Sequence, residues 1–244
     1  MTGSTDTVRA LDVELRFWSG LARAPSSTDE AIYVHKDAAF VARIDAILEQ
    51  VQPRRMIEVG VLDGGSTIYW QSKYKLERLV GFELSPAAPL LTRYLKRNGL
   101  SNTIRVHFGV SQDDAPRLRD AIAKDLGDEP VDAIIDDASH QYAETKATVE
   151  ILLPFLRPGG VFIIEDWAWG HHRKWPADLW SDRPLMSPLL SELMLVCGNA
   201  SGTIDRIQID PNFVVLWRGS ADLPKDHTFK LSDHYKGRGF SAVL

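Results

Sequence analysis

The sequence predicts an α/β protein built on a mostly parallel, doubly wound sheet. Three observations carry that expectation. First, short apolar runs bounded by turn residues alternate with helically spaced segments through the middle of the chain. Second, Ala133-Ile134-Ile135-Asp136 and Val161-Phe162-Ile163-Ile164 are short and β-branched, as strands buried on both faces are. Third, residues 141–156 between them have helical spacing, which makes a strand–helix–strand unit with a right-handed crossover. Both strands of such a unit end on one edge of the sheet, the carboxyl edge where open α/β sheets bind ligands.

In order, the periodicity predicts helices over 8–19 and 30–51, separated by the loop Ala24-Pro25-Ser26-Ser27-Thr28-Asp29. Strands follow at 56–60, 79–83, 103–109 and 131–136, with helices at 66–75, 86–98 and 113–125 between them. After the second acidic strand end comes an irregular stretch, 167–188, holding Trp167, Trp169, Trp175 and Trp180. A helix at 189–196 leads to strands at 203–209 and 213–218. Only Asp210-Pro211-Asn212 joins those two, so they form an antiparallel hairpin. The tail, 221–244, is polar and is expected to pack loosely. A single domain, 1–244, results: an N-terminal helical segment to 52, a core over 53–220 and the tail.

Of the 244 residues, 44% are hydrophobic and 25% charged, the composition of a soluble globular protein with a full core. A formal charge of −5 opposes nucleic acid as the partner, since phosphate binding needs a basic face. No leader or apolar run of membrane-spanning length is visible, so no membrane partner is expected. Cys197 is the lone cysteine, so no intrachain disulfide forms; a cytoplasmic setting is expected.

The first core strand ends in Ile57-Glu58-Val59-Gly60-Val61-Leu62-Asp63-Gly64-Gly65-Ser66, and the next ends at Glu83. Glycines there permit a tight turn and close approach of a ligand, while a helix N-terminus favours an anionic group. An acid at the end of the neighbouring strand can accept hydrogen bonds from a ribose diol. The dinucleotide fingerprint is not met, because Leu62 replaces its second glycine, which points to a ligand without a pyrophosphate. The glycines alone are as readily an ordinary strand-to-helix turn; Glu83 and the acidic fourth strand end favour the cofactor. Over 56–166 this pattern resembles the class I S-adenosylmethionine-dependent methyltransferases, with their Rossmann-like fold. The resemblance implies that Glu58, Gly60, Asp63, Gly64, Gly65 and Ser66 surround the methionine end of the cofactor. It places Glu83 at the ribose, Ser111 and Gln112 at the adenine and Asp136 near the methionine moiety.

The strand ends Asp136-Asp137-Ala138-Ser139-His140 and Glu165-Asp166 bring four carboxylates and a histidine to one edge. Such a cluster repels itself unless a cation lies within it, and hard oxygen donors suit Mg²⁺. Taken singly, each acid could cap a helix or sit in a solvated turn, and His140 could be structural; jointly they read as a metal site with a base beside it. The pattern resembles the metal-dependent sugar O-methyltransferases of the macrocin and mycinamicin type, and also the methylmannose-polysaccharide O-methyltransferases. That resemblance implies magnesium on Asp137, Glu165 and Asp166, His140 as general base, and an acceptor that is a small glycoside or oligosaccharide such as a mannoside or deoxysugar. It also implies a homodimer. The sequence itself leaves open which of Asp136 and Asp137 reaches the metal.

Three alternatives stand beside this reading. A catechol or other phenol could be the acceptor, although that metal site typically ends in Asp-Asn. A non-haem iron oxygenase could use His140, a carboxylate and His171 or His172, although that triad is usually set in a β-barrel. A non-catalytic nucleotide-binding module would hold the cofactor without turnover. His171-His172-Arg173-Lys174 could grip a polar acceptor or form a charged surface loop, and the tryptophans could stack on sugar rings or pack a lid. Tyr33 and His35 could close over the cofactor.

Overall fold

The computed structural model describes residues 6–18, 25–173 and 184–238. The core alternates β4 (Arg55–Val59), α2 (Gly65–Tyr74), β5 (Arg78–Glu83), α3 (Pro89–Arg97), β6 (Ile104–Phe108), α4 (Ala115–Leu126), β7 (Val131–Asp136), α5 (Tyr142–Leu152) and β8 (Leu156–Glu165). Then come α6 (Ser187–Gly198) and the hairpin β9 (Ile204–Ile209) and β10 (Phe213–Arg218). The seven strands lie in the order β6-β5-β4-β7-β8-β10-β9, all parallel except where β10 pairs antiparallel with β8 and β9. This is the mostly parallel, doubly wound, Rossmann-like sheet with a C-terminal antiparallel hairpin that the sequence predicts.

Strand alternation explains the two apolar layers. Met56, Ala133, Ile135 and Ile163 face one layer, with Ile44, Ile68 and Leu91 from the helices on that side. Ile57, Ile134, Phe162 and Ile164 face the other, against Leu118, Val149 and Leu189. Both faces are covered, so each strand reads as a continuous apolar run. In register, Val59 pairs with Asp136 and Asp136 with Ile164, which sets the ends of β4, β7 and β8 at one level.

The N-terminal segment departs from expectation. Where helix was expected over 8–19, β1 (Thr7–Ala10) and β2 (Val13–Phe17) form an antiparallel hairpin. Val13, Leu15 and Phe17 are buried while Glu14 and Arg16 between them are half-buried, a period of two that wins over the helical reading of a short window. Leu11 turns the hairpin at φ 54°. The start of the second expected helix is likewise strand: β3 (Ala31–Val34) runs parallel to β2 in a separate three-stranded sheet. Helix α1 (Ala38–Val51) begins later, where the Asp37 carboxylate accepts the Phe40 N–H at 2.6 Å. The tail is also better anchored than its polarity suggests. Leu223, Phe229 and Leu231 join the core, and Glu150 on α5 binds the Lys230 ammonium and the Leu231 N–H. Among the described residues no helix is long and apolar enough to cross a membrane.

Candidate active site

A cavity of about 920 Å³ opens at the carboxyl edge of the sheet. On one side it is walled by the loop after β4, where Gly60, Asp63, Gly65 and Ser66 line it, and by Glu83 at the end of β5. Ser111 and Gln112 close the end beyond β6. The opposite wall carries Asp137, His140, Asp166 and Trp169.

The glycines answer first to the protein's own backbone. Gly60 has φ +87°, and a Cβ there would meet the Asp137 carbonyl oxygen at 2.1 Å. A Cβ on Gly65 would meet the Tyr33 carbonyl oxygen at 2.3 Å. The glycine loop is thus wedged between the acidic turn after β7 and strand β3. Glu83 locks it from the third side: its carboxylate accepts the N–H groups of Val61 (2.9 Å), Leu62 (2.7 Å) and Ser85 (2.7 Å). Burial pushes this carboxyl up, but those backbone donors outweigh it and hold it below the ordinary range.

Glu58, Gly64 and Asp136 do not line the cavity. Glu58 points into the core behind the loop, accepting from the Thr67 hydroxyl and from Trp70 Nε1 at 3.2 Å, and burial raises its pKa. Gly64 turns into α2 at φ +88°, its α-carbon against Leu91. Asp136 lies beneath the cavity floor, where Gln112 Nε2 approaches its two oxygens at 3.2 and 3.4 Å. Burial, reinforced by the Asp137 charge, pushes it up to about 7. Gln112 also donates to Thr148 and accepts the Ser139 N–H, so it ties the third strand's end to the acidic turn.

The acidic residues are not equivalent. Among the described residues, Asp137, His140 and Asp166 place ligand atoms within 4.8 Å of one another, a grouping that could hold a metal ion. His140 Nε2 lies 3.7 Å from Asp137 and 3.9 Å from Asp166, with Trp169 packed against its ring at 4.8 Å between centroids. His140 and Asp166 both adopt the left-handed backbone region, at φ 56° and 55°, an uncommon conformation for side-chain-bearing residues that aims both at the same space. Glu165 sits deeper, 1% exposed, outside the cavity lining, and neither of its oxygens accepts a hydrogen bond. Burial pushes it well above its ordinary pKa, with the Asp137 charge adding to this. The same two causes in the same order raise Asp166 to about 8, while burial lowers His140 against the opposing pull of Asp137. Hard oxygens, a buried carboxylate without a hydrogen-bonding N–H from the backbone and carboxyls that resist ionising are what a divalent cation would relieve, so the residues fit one.

A residue absent from the sequence reading completes the cluster. Lys36, just past β3, places its Nζ 2.5 Å from Asp137 Oδ2 and 3.2 Å from Glu165 Oε2. Burial would lower this ammonium's pKa, but the two carboxylates outweigh it and hold it far above the ordinary range. Tyr33 and His35 line the cavity beside it. His171 instead contacts Ser187 Oγ at 3.0 Å, and His171 to Arg173 are exposed, so the described residues assemble no second histidine for an iron triad. Lys174, Trp175 and Trp180 lie outside the described residues.

Residues 57–167, the stretch that builds both walls of the cavity, match the methyltransferase domain family. That match spans a little under half of the 244-residue chain. Two curated relatives are similar to it. One is the 8-demethyl-8-(2-methoxy-alpha-L-rhamnosyl)-tetracenomycin-C 3'-O-methyltransferase of Streptomyces olivaceus, 33% identical over 123 residues, covering 47% of this chain and 28% of the relative. The other is the mycinamicin VI 2''-O-methyltransferase of Micromonospora griseorubida, 33% identical over 122 residues, covering 47% of this chain and 27% of the relative. This chain therefore matches less than a third of the length of either. Among solved structures, a methyltransferase from the mycinamycin biosynthetic pathway in complex with Mg and SAH superposes with a TM-score of 0.57 at 23% identity. That superposition covers 74% of this chain and 50% of the other, a likeness of fold.

Proposed function

We propose that the chain is an S-adenosylmethionine- and magnesium-dependent O-methyltransferase whose acceptor is a sugar hydroxyl. One observation carries the reading: a half-buried histidine and two cavity-lining carboxylates face, across a single cavity, an acid at the end of β5 whose ionised form is favoured. The relatives named above support the acceptor class: both are O-methyltransferases by name, and the first name specifies a rhamnosyl-bearing compound.

In this reading Glu83 holds the ribose, its oxygens keeping acceptor capacity beyond the three backbone donors. Gly60, Asp63, Gly65 and Ser66 flank the methionine end, with Ser111 and Gln112 at the base. Asp137, Glu165 and Asp166 would hold a magnesium ion, Glu165 from behind the other two. When bound, that ion supplies a Lewis acid that favours the ionised form of a hydroxyl otherwise too weakly acidic to react at neutral pH. His140 removes the hydroxyl proton at Nε2 as the oxygen takes the methyl group from the sulfonium, which leaves as a neutral thioether. Its lowered pKa keeps the imidazole neutral and able to accept near pH 7. Trp169, packed on that ring, fixes its plane and walls the acceptor side.

The test is incubation with methyl-labelled S-adenosylmethionine, Mg²⁺ and a panel of mannosides, deoxysugar glycosides and catechols. Label should pass to a sugar and chelation should stop it. Transfer to catechols alone would refute the acceptor class, and undiminished transfer after chelation would refute the metal.

A further inference from the structure

Lys36 lies outside the stretch that matches the methyltransferase domain family, yet it penetrates the acidic cluster. Its side chain is 4% exposed and its ammonium bridges Asp137 and Glu165. A small divalent ion shared by those two carboxylates would need the same gap, because it draws its oxygens to about 2.1 Å. Asp166 lies on the cavity side, 3.9 Å from His140 and outside the Lys36 bridge, so it remains to receive an ion first.

We propose that Lys36 is a resident counter-cation that competes with the divalent ion for Asp137 and Glu165. The proposal rests on the metal reading above. Once Asp137, Glu165 and Asp166 are all ionised, as holding an ion requires, one ammonium against them would leave two negative charges, the number a divalent ion neutralises. In the metal-free protein the ammonium keeps two buried carboxylates from facing each other uncompensated, a situation that is strongly destabilising. Once an ion arrives, the same positive charge repels it. Lys36 thereby exchanges metal affinity for a site that folds without metal, and it delivers that control from the small N-terminal sheet, whose last strand places it.

The experiment uses the full chain and two variants, Lys36→Met and Lys36→Gln, without cofactor or acceptor. Mn²⁺ binding is read by electron paramagnetic resonance with Mg²⁺ as competitor, and melting is followed with and without Mg²⁺. Both variants should bind Mn²⁺ on the order of tenfold more tightly, the scale expected from removing a like charge a few ångströms away. Both should melt lower than wild type without metal and gain more from Mg²⁺. Should the Met variant fail to fold, the Gln variant, which keeps a hydrogen-bond donor without the charge, decides. Equal or weaker Mn²⁺ binding in a folded variant would overturn the proposal, leaving Lys36 a structural strut. If wild type binds no Mn²⁺, or Asp166→Asn leaves its binding unchanged, the metal reading itself fails instead.

Discussion

Glu83 and Glu165 end strands of one sheet at the same edge, both nearly buried, and their electrostatics are opposite. Three backbone N–H groups meet Glu83 and hold its charge in place. Glu165 is met by no such amide, only by the Lys36 ammonium at 3.2 Å, and its charge is resisted. The difference lies in the loops. The turn after β4 curls its amides toward Glu83, whereas the turns after β7 and β8 aim side chains, chiefly carboxylates, at one another. A half-site that is complete as folded can receive a neutral diol by adding hydrogen bonds. A half-site left electrostatically incomplete is suited to a cation. In the proposed reading, the division between cofactor side and metal side follows from how each carboxylate is satisfied.

The largest expected effect separates chemistry from both half-sites. His140→Ala should cut kcat by roughly 10²–10⁴-fold, the usual contribution of a positioned base. Calorimetry should find its cofactor binding unchanged. In wild type the rate should fall on the acid side of a pKa lower than the ordinary histidine value, since burial favours the neutral ring. That limb should vanish in the variant.

Next comes the seam between the half-sites. Gly60→Ala must adopt φ +87° and push a methyl group into the Asp137 carbonyl. The strained backbone alone costs about 1–3 kcal/mol. Thermal melting should register that loss, and both cofactor and metal affinity should drop together. Loss of only one would mean that the two turns move independently.

The smallest effect concerns Glu83 itself. Glu83→Gln without ligands should lose about 1 kcal/mol of stability at neutral pH, because an amide group replaces one acceptor of a backbone N–H. The sign with pH follows from the lowered pKa. A carboxyl depressed in the folded state stabilises it above the unfolded value, and that contribution disappears as pH falls through the folded value. The gap between wild type and variant should close in acid. A gap that is constant with pH would mean the carboxylate's charge is not what the amides recognise.

Much of this arrangement was legible in the sequence because it follows from local pattern. Apolar runs ending in acids gave the parallel strands, and the three-residue link at Asp210 to Asn212 gave the hairpin that pairs with β8. What escaped was long-range or single-residue geometry. Asp136 and Asp137 are indistinguishable as letters; only the end of β7 turns one down to Gln112 and the other into the cavity. Glu58 looked like a ligand group because it precedes the glycines, yet strand alternation turns it to Thr67 and Trp70. Lys36 has no motif at all, since its partner Asp137 is 101 positions away. The available hint was a lysine two positions past the apolar run Ala31-Ile32-Tyr33-Val34, and it was hidden by reading that strand as helix.

The central claim is that one edge carries two separable half-sites, and a double dissociation by calorimetry tests it most directly. Wild type, Glu83→Ala and Asp166→Asn are each titrated with S-adenosylmethionine and with Mg²⁺. Glu83→Ala should lose about 1–3 kcal/mol of cofactor affinity, the scale of charge-assisted hydrogen bonds, and keep its Mg²⁺ affinity. Asp166→Asn should do the reverse. If Glu83→Ala binds the cofactor like wild type, or if each variant weakens both ligands equally, the division of the edge into a cofactor side and a metal side is contradicted.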